Sequence, residues 1–341
     1  LHLCDRRQRQ MCIRDRNEKV EKPADLRKDY DAVLMAIGGH KGVRLPMEGS
    51  SLEGVILNVD FLKNCGMGKA TGMGKKVIVL GGGNVAFDCA RSAKRLGAEE
   101  IHVACLEARE HMTADEEEIQ QAVEEGIMIH PAQTFERITG TGHVTGVDFM
   151  NVKSFTFDEN HRAVIHREEN SEHHIEADTV IFAVGQRPDI TEEAGLALGR
   201  GNSIAVRDIE TDKATSVDGI FAAGDAIYGT KSVIMAIESG REAAAQIDQY
   251  LGGNGDISEK LAPEQKPDAY IGICEGFGYM QRKNRCIDSP ESRCNNFELF
   301  DHGICDSDIC AEAGRCLQCD LRLQISKPRV WGDYAEGKEE K

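Results

Sequence analysis

The segment from Lys76 to Ala86, KVIVLGGGNVA, constrains the fold more than any other part of the 341-residue chain. Val77 to Leu80 is a short apolar run of buried-strand type, and it feeds directly into a G-x-G-x-x-A turn at Gly81, Gly82, Gly83, Asn84, Val85 and Ala86. Val85, Cys89, Ala93 and Leu96 then recur at helical spacing, and Gly97 stands where a helix C-cap belongs. Ile101 to Leu106 supplies a second strand. Strand, glycine turn, helix and strand together fill about the 30 residues of one βαβ unit, which calls for an α/β fold with a parallel sheet.

A glycine turn in that setting has a defined use. Gly81 allows the tight turn, Gly83 lets the backbone approach a pyrophosphate, and Ala86 lets the helix pack close to the strand, while the helix N-terminus attracts the anion. Asn84 and Val85 lie in the same loop and are candidate nucleotide contacts. The second strand ends in Leu106 and Glu107, where a carboxylate can accept both ribose hydroxyls and repel a 2′-phosphate. Glu107 thus favours NAD. Arg109, two residues on, is suited to a 2′-phosphate, so NADP stays open.

A second glycine signal is TSVDGIFAAGDA at residues 215–226, an apolar strand running into Gly224 and Asp225. It places one carboxylate at the C-terminal edge of a strand, where a flavin's ribityl hydroxyl can donate to it. A long helix follows from about Ser232 to Leu251, with Val233, Ile237, Gly240, Ala244, Ile247 and Leu251 on one face. Lys231 and Ser232, at the start of this helix, are candidates for stabilising an anionic reduced flavin. A third signal, AVGQRPD at 183–189, ends a strand at Gly185, where the chain can cross between domains; AIGG at 36–39, with Gly38, is its earlier echo.

Charge and cysteine content narrow the partners. With 41 Lys plus Arg against 58 Asp plus Glu, the formal net charge is −17, which disfavours nucleic acid and anionic membrane surfaces. No apolar run approaches the roughly 20 residues of a membrane helix, so membrane insertion is not expected. Seven of the 12 cysteines crowd between Cys274 and Cys319, and without a secretory signal they read as metal or redox chemistry in a reducing, cytoplasmic setting. A four-iron cluster needs four thiolates, which Cys305, Cys310, Cys316 and Cys319 can provide; zinc would accept the same set, and reduced thiols are the third reading. Cys65 and Cys89 read as packing cysteines. His161, His166, His173 and His174 lie on or beside turns between β-type segments and meet no ligand spacing.

The rest of the chain reads as follows. A first strand is expected over 32–37, and a connector with a short helix over 52–69. An acidic helix is expected over 114–125, with Glu116 to Glu118 as a solvated first turn. Small β segments follow at 127–130, 135–138, 144–152, 163–166 and 179–184.

In this order the motifs resemble the two-dinucleotide-binding-domain flavoproteins of the pyridine nucleotide-disulfide oxidoreductase superfamily. LEAREHM at 106–112 and GGNVAFDCA at 82–90 are similar to the small-subunit-like branch of glutamate synthase. The resemblance covers residues 31–251. It implies a Rossmann-like FAD/NAD(P)-binding fold, an NAD(P) domain inserted in an FAD domain, and hydride transfer from nicotinamide to flavin; onward delivery to an iron–sulfur or protein acceptor is expected, with a redox partner subunit or a ferredoxin-like protein as partner. Gly81, Gly83 and Ala86 would then hold NAD(P)H, and Gly224 and Asp225 the FAD.

Two departures shape the reading, one being Glu107 where many members of the branch carry a lysine- or arginine-rich strand end suited to NADPH. No G-x-G-x-x-G loop precedes Asp31, and the five arginines among residues 1–16 show neither helix nor strand periodicity. Residues 1–16 are therefore expected to be a non-native leader, 17–72 a partial FAD domain and connector, 73–183 the NAD(P) domain, 184–255 the C-terminal part of the FAD domain, and 256–341 a cysteine-rich tail. No C-x-x-C lies between Gly81 and Gly185, which argues against a thioredoxin-reductase-type dithiol there. The alternative to a flavin enzyme is a non-catalytic module that binds NAD or docks an electron carrier.

Overall fold

The computed structural model describes residues 19–157, 163–258, 276 and 279–316, and the chain divides into two compact units, 1–258 and 259–341. The expected leader, residues 1–16, lies outside the described residues.

In the first unit the chain runs through β1 (Val33–Met35), β2 (Lys41–Gly42), β3 (Val55–Leu57), α1 (Asn58–Gly66), β4 (Lys76–Leu80), α2 (Asn84–Arg95), β5 (Glu100–Ala104), α3 (Glu116–Glu124) and β6 (Met128–His130). Next come β7 (Gln133–Thr141), β8 (His143–Phe157), β9 (Ala163–Arg167) and β10 (His173–Glu176). The unit closes with β11 (Thr179–Phe182), β12 (Gln186–Arg187), β13 (Val206–Asp208), β14 (Asp212–Thr215), β15 (Ile220–Ala222), α4 (Asp225–Tyr228) and α5 (Val233–Tyr250).

Five of these strands form a parallel sheet in the order β3-β11-β4-β5-β6. Both faces of that sheet are covered, which is why its strands read as unbroken apolar runs rather than alternating ones. Val77, Val79, Ile101, Val103 and Ile181 point to one side and pack on Phe61 of α1, Phe87 and Ala90 of α2, and Ile119 of α3. Ile78, Leu80, Ala104, Val180 and Phe182 point to the other side and meet Ile138, Val144, Val147 and Phe149 of the antiparallel sheet β10-β8-β7. Each of the larger side chains contributes about 2 kcal/mol by leaving water, so the three layers hold β4 rigidly at their centre.

Helix α2 ends as its sequence predicts: Gly97 takes φ +91°, and Ala98 N–H donates to Ala93 O at 3.0 Å. It is bolted to α3 by charge. Glu125 is buried and accepts from Arg91 Nη2 (2.9 Å) and Arg95 Nη1 (2.9 Å), while Arg91 Nη1 reaches Glu118 at 2.7 Å. Burial alone would raise the Glu125 carboxyl; the hydrogen bonds and charges of Arg95 and Arg91 outweigh it and hold the group below the usual carboxylate range. Glu118, expected as part of a solvated turn, is instead a member of this clamp.

A second sheet, β1-β15-β14-β13, packs Val33, Ile190, Leu196, Ile204, Ile220, Ala222 and Ile227 into a separate core. The chain passes between the two sheets twice, after Gly38 and after Gly185, and the antiparallel pair β2–β12 ties the crossings together, with Val43 N–H on Gly185 O at 3.2 Å.

The structure adds detail to the sequence reading in three places. β3 pairs with β11, so the boundary expected at residue 72 falls after one strand of the nucleotide sheet. β10, β13 and β14 are polar strands without an alternating signal. On α5 the fully buried residues are Ser239 and Ala243, whereas Val233, Ile234 and Ile237 are 76%, 76% and 58% exposed.

The second unit contains α6 (Pro290–Arg293), α7 (Asp306–Gly314) and a short antiparallel bridge, Ile287 to Asp301.

Candidate functional site

The C-terminal end of β4 is where the sheet changes direction: the chain continues from β4 to β5 on one side, and β11 returns on the other. Open α/β sheets bind ligands in the crevice at such a switch point. Gly81 N–H donates to Ala104 O at 2.8 Å and Ala183 N–H to Leu80 O at 2.8 Å, fixing the start of the loop between its neighbours. Gly81 has φ +142°, and a Cβ there would lie 2.4 Å from the Ala183 carbonyl oxygen. Its glycine is thus demanded by the protein's own packing.

Gly83 is different. It caps α2 with ordinary extended angles (φ −93°, ψ 172°), and a Cβ there would meet nothing closer than Thr113 Oγ1 at 3.4 Å. The space above Gly83 is open, as a nucleotide pyrophosphate requires. Ala86 is fully buried in the helix-to-sheet core, and Val85 packs at its edge.

Two helices begin at this loop. Asp115 is the N-cap residue of α3, Ala114 N–H donates to Gly82 O (3.2 Å), and Asn84 clasps Asp115 in both directions: Asn84 Nδ2 to Asp115 Oδ2 at 3.1 Å, and Asp115 N–H to Asn84 Oδ1 at 2.7 Å. The positive ends of α2 and α3 are thereby joined at one mouth, which favours an anion. Asn84 was expected as a nucleotide contact, and its side chain is engaged in this clasp. Thr113 and Asp115 are additions to the sequence reading; the pattern Asp115-x-x-Glu118 is a capping-box signature that marks the second helix start.

Glu107 lies over the loop, with Oε2 3.2 Å from where a Gly82 Cβ would stand. Arg109 Nη2 pairs with Glu116 Oε1 at 2.6 Å in an exposed ion pair. Cys105 sits beneath; burial, then the Glu107 charge, push its thiol up to about 12, so it is a neutral packing group.

A second constellation forms after β15. Gly224 turns the chain with φ +68°, its N–H donates to Ser239 Oγ (3.0 Å), and a Cβ there would meet only Ala236 Cβ, at 3.9 Å. Asp225 is half-buried and accepts from Lys231 N–H at 3.2 Å, while Ser232 Oγ accepts from Met235 N–H and starts α5. Asp225, Lys231 and Ser232 are thus gathered in one short turn, beside the exposed apolar first turns of α5. Open space at Gly224 and an accepting carboxylate next to it fit a flavin nucleotide.

The expected metal ligands are less united. Cys319 lies outside the described residues, as does His161. Cys305 Sγ lies 3.0 Å from Cys286 Sγ, a cysteine outside the expected set. Among the described residues no three His, Cys, Asp or Glu side chains are grouped to hold a metal ion. His166, His173 and His174 are exposed, on β9 and β10 rather than in loops.

Residues 5–240 match the family described as pyridine nucleotide-disulphide oxidoreductase. The chain belongs to that family. Within it the chain is 32% identical over 309 residues to the NADP(+)-dependent formate dehydrogenase subunit beta of Moorella thermoacetica, covering 86% of this chain and 43% of that protein. It is 29% identical to the NADPH-Fe(3+) oxidoreductase subunit beta of Geobacter sulfurreducens (86% and 49% covered), and 32% identical to the glutamate synthase (NADPH) small chain of Azospirillum brasilense (70% and 53% covered). The chain therefore spans about half the length of the curated relatives it matches. FprA of Mycobacterium tuberculosis shares the fold, with a TM-score of 0.59 at 15% identity over 69% of this chain and 68% of that one. The three curated relatives are named for the phosphorylated nucleotide, against the preference for NAD read from Glu107. No described helix is long and apolar enough to cross a membrane.

Proposed function

We propose that the chain acts as an NADPH-dependent FAD oxidoreductase subunit that passes electrons onward to an iron–sulfur or ferredoxin-like partner. The observation that carries this reading is the open cradle above Gly83, bounded by two helix N-termini at the switch point of a parallel sheet. A protein-packing turn would have that space filled.

The residues divide the work. Gly83 and the first N–H groups of α2 receive the pyrophosphate. Glu107 accepts from a ribose hydroxyl, and Arg109, leaving its exposed pair with Glu116, meets the 2′-phosphate. That assignment reconciles the carboxylate with the relatives named for NADPH. On the flavin side, Asp225 accepts from a ribityl hydroxyl, and Lys231 with the start of α5 offers positive potential to the reduced ring. FAD, when bound, supplies the two-electron acceptor that can release electrons singly. The chain's own contribution is placement, and no acid or base side chain is required for hydride transfer. The relatives named as subunits support a protein partner as the onward acceptor.

Anaerobic mixing of the FAD-supplied protein with NADPH tests the reading. Loss of the flavin's visible absorbance is expected, and Arg109→Ala is expected to raise the KM for NADPH about tenfold, the worth of ~1.4 kcal/mol, with the KM for NADH unchanged. Flavin that stays oxidised while NADPH binds would favour a non-catalytic nucleotide module.

A further inference from the structure

Cys286 and Cys305 meet although they lie 19 positions apart in sequence, with sulfur atoms 3.0 Å from each other. A disulfide bond is about 2.05 Å long, so a shift of about 1 Å separates this contact from a covalent link. The approach is built into the backbone. Cys286 N–H donates to Gly303 O at 2.7 Å, His302 N–H donates back to Cys286 O at 2.8 Å, and Asp288 N–H donates to Phe300 O at 2.9 Å. Ion pairs between Arg285 and Asp301 (2.6 Å) and between Lys283 and Asp308 (3.2 Å) add to this ladder. Cys305 follows two residues after Gly303 as the N-cap residue of α7. The entropy of closing the intervening loop has therefore been spent before any bond forms.

Both thiols are exposed, in contrast to Cys89 and Cys105 in the first unit, which are buried and whose thiols are pushed up chiefly by desolvation. Accessibility is what an attacking disulfide needs.

We propose that Cys286 and Cys305 form a reversible dithiol–disulfide site for small-molecule disulfides. The Cys305 thiolate attacks one sulfur of the incoming disulfide, expels one small thiolate and is left as a mixed disulfide. Cys286, deprotonated, then attacks the Cys305 sulfur, releases the second small thiol and closes the Cys286–Cys305 bond. The protein loses two protons and two electrons, and the small disulfide gains them as two thiols. Cys305 takes the first step because its place at the start of α7 puts the attacking sulfur at the positive end of a helix. The oxidised form ties the segment at Cys286 to the start of α7, and it removes Cys305 from any metal-ligand set.

The test uses the full chain with oxidised glutathione as the probe, followed by alkylation and tryptic mapping. Cleavage at Arg285, Arg293 and Arg315 isolates Cys286 on the 286–293 peptide and places Cys294, Cys305 and Cys310 on 294–315. The expected product is 286–293 linked to 294–315, with fragment ions placing the bond on Cys305, no retained glutathione, and full reversal by dithiothreitol. In Cys286→Ser, glutathione should remain on Cys305 at several times the wild-type occupancy. Recovery of 286–293 from the wild type alkylated, glutathionylated or linked to another cysteine would overturn the proposal. So would equal glutathione retention in the wild type and Cys286→Ser. The wild-type map stands by itself if a variant fails to fold.

Discussion

Gly81 and Gly83 share one turn and serve different masters. Gly81 is pinned by a positive φ and by the Ala183 carbonyl, so Gly81→Ala should destabilise the fold by about 3 kcal/mol, read as a lower urea midpoint at unchanged slope. Gly83 is unconstrained by the protein. The spacing of the glycines showed that a nucleotide loop is present, but both were read as serving the ligand and the turn; the neighbouring strand's carbonyl, contributed about 100 residues later, decides which glycine answers to packing. The same holds for the cysteines. Density along the chain pointed to Cys305 with Cys310, Cys316 and Cys319, whereas a backbone ladder that no spacing rule encodes brings Cys305 to Cys286.

At the level of elements, the clamp between α2 and the end of α3 is a buried polar commitment of the first unit. Glu125→Gln removes a buried charge facing two arginines and should cost about 3 kcal/mol at neutral pH. Because the native carboxyl is held below its unfolded value of about 4.3, its contribution is complete above that value and disappears as the pH falls through the native one. The stability gap between wild type and Glu125→Gln should therefore be constant from pH 8 to about pH 5 and narrow in acid, as measured by urea unfolding across the range. Periodicity found α2, α3 and α5 and their ends to within a few residues. It could not say which side of α5 is covered: a shared face shows which residues travel together, and whether another element covers them is a property of the packing. Hence Val233 and Ile237, which share one face by their spacing, are largely exposed, and Ser239 and Ala243 are buried.

For the whole molecule, the order of the glycine motifs was enough to place the chain in a parallel α/β architecture, since strand, loop and helix must alternate to form it. The layer opposite the helices was only partly legible. β7 and β8 announced themselves as β-type segments, but their role in covering Ile78, Leu80 and Phe182 depends on side-chain alternation in β4 and β11, which an all-apolar run conceals. β3 hid in a connector because a three-residue edge strand carries no periodicity. What results is a rigid platform with β4 at its centre and the open cradle at its C-terminal end, and the functional reading rests on that cradle.

Gly83→Asp tests it most directly. Aspartate is at least as good an N-cap as glycine and suits the positive end of a helix, and the nearest atom to a new Cβ is an ordinary contact away, so the fold should tolerate the change. The new carboxylate would stand where the pyrophosphate belongs. Calorimetric titration with NADPH should show affinity lower by at least tenfold in Gly83→Asp, with a melting temperature equal to or above that of the wild type. NADPH binding by Gly83→Asp as tight as by the wild type would place the nucleotide elsewhere and contradict the account.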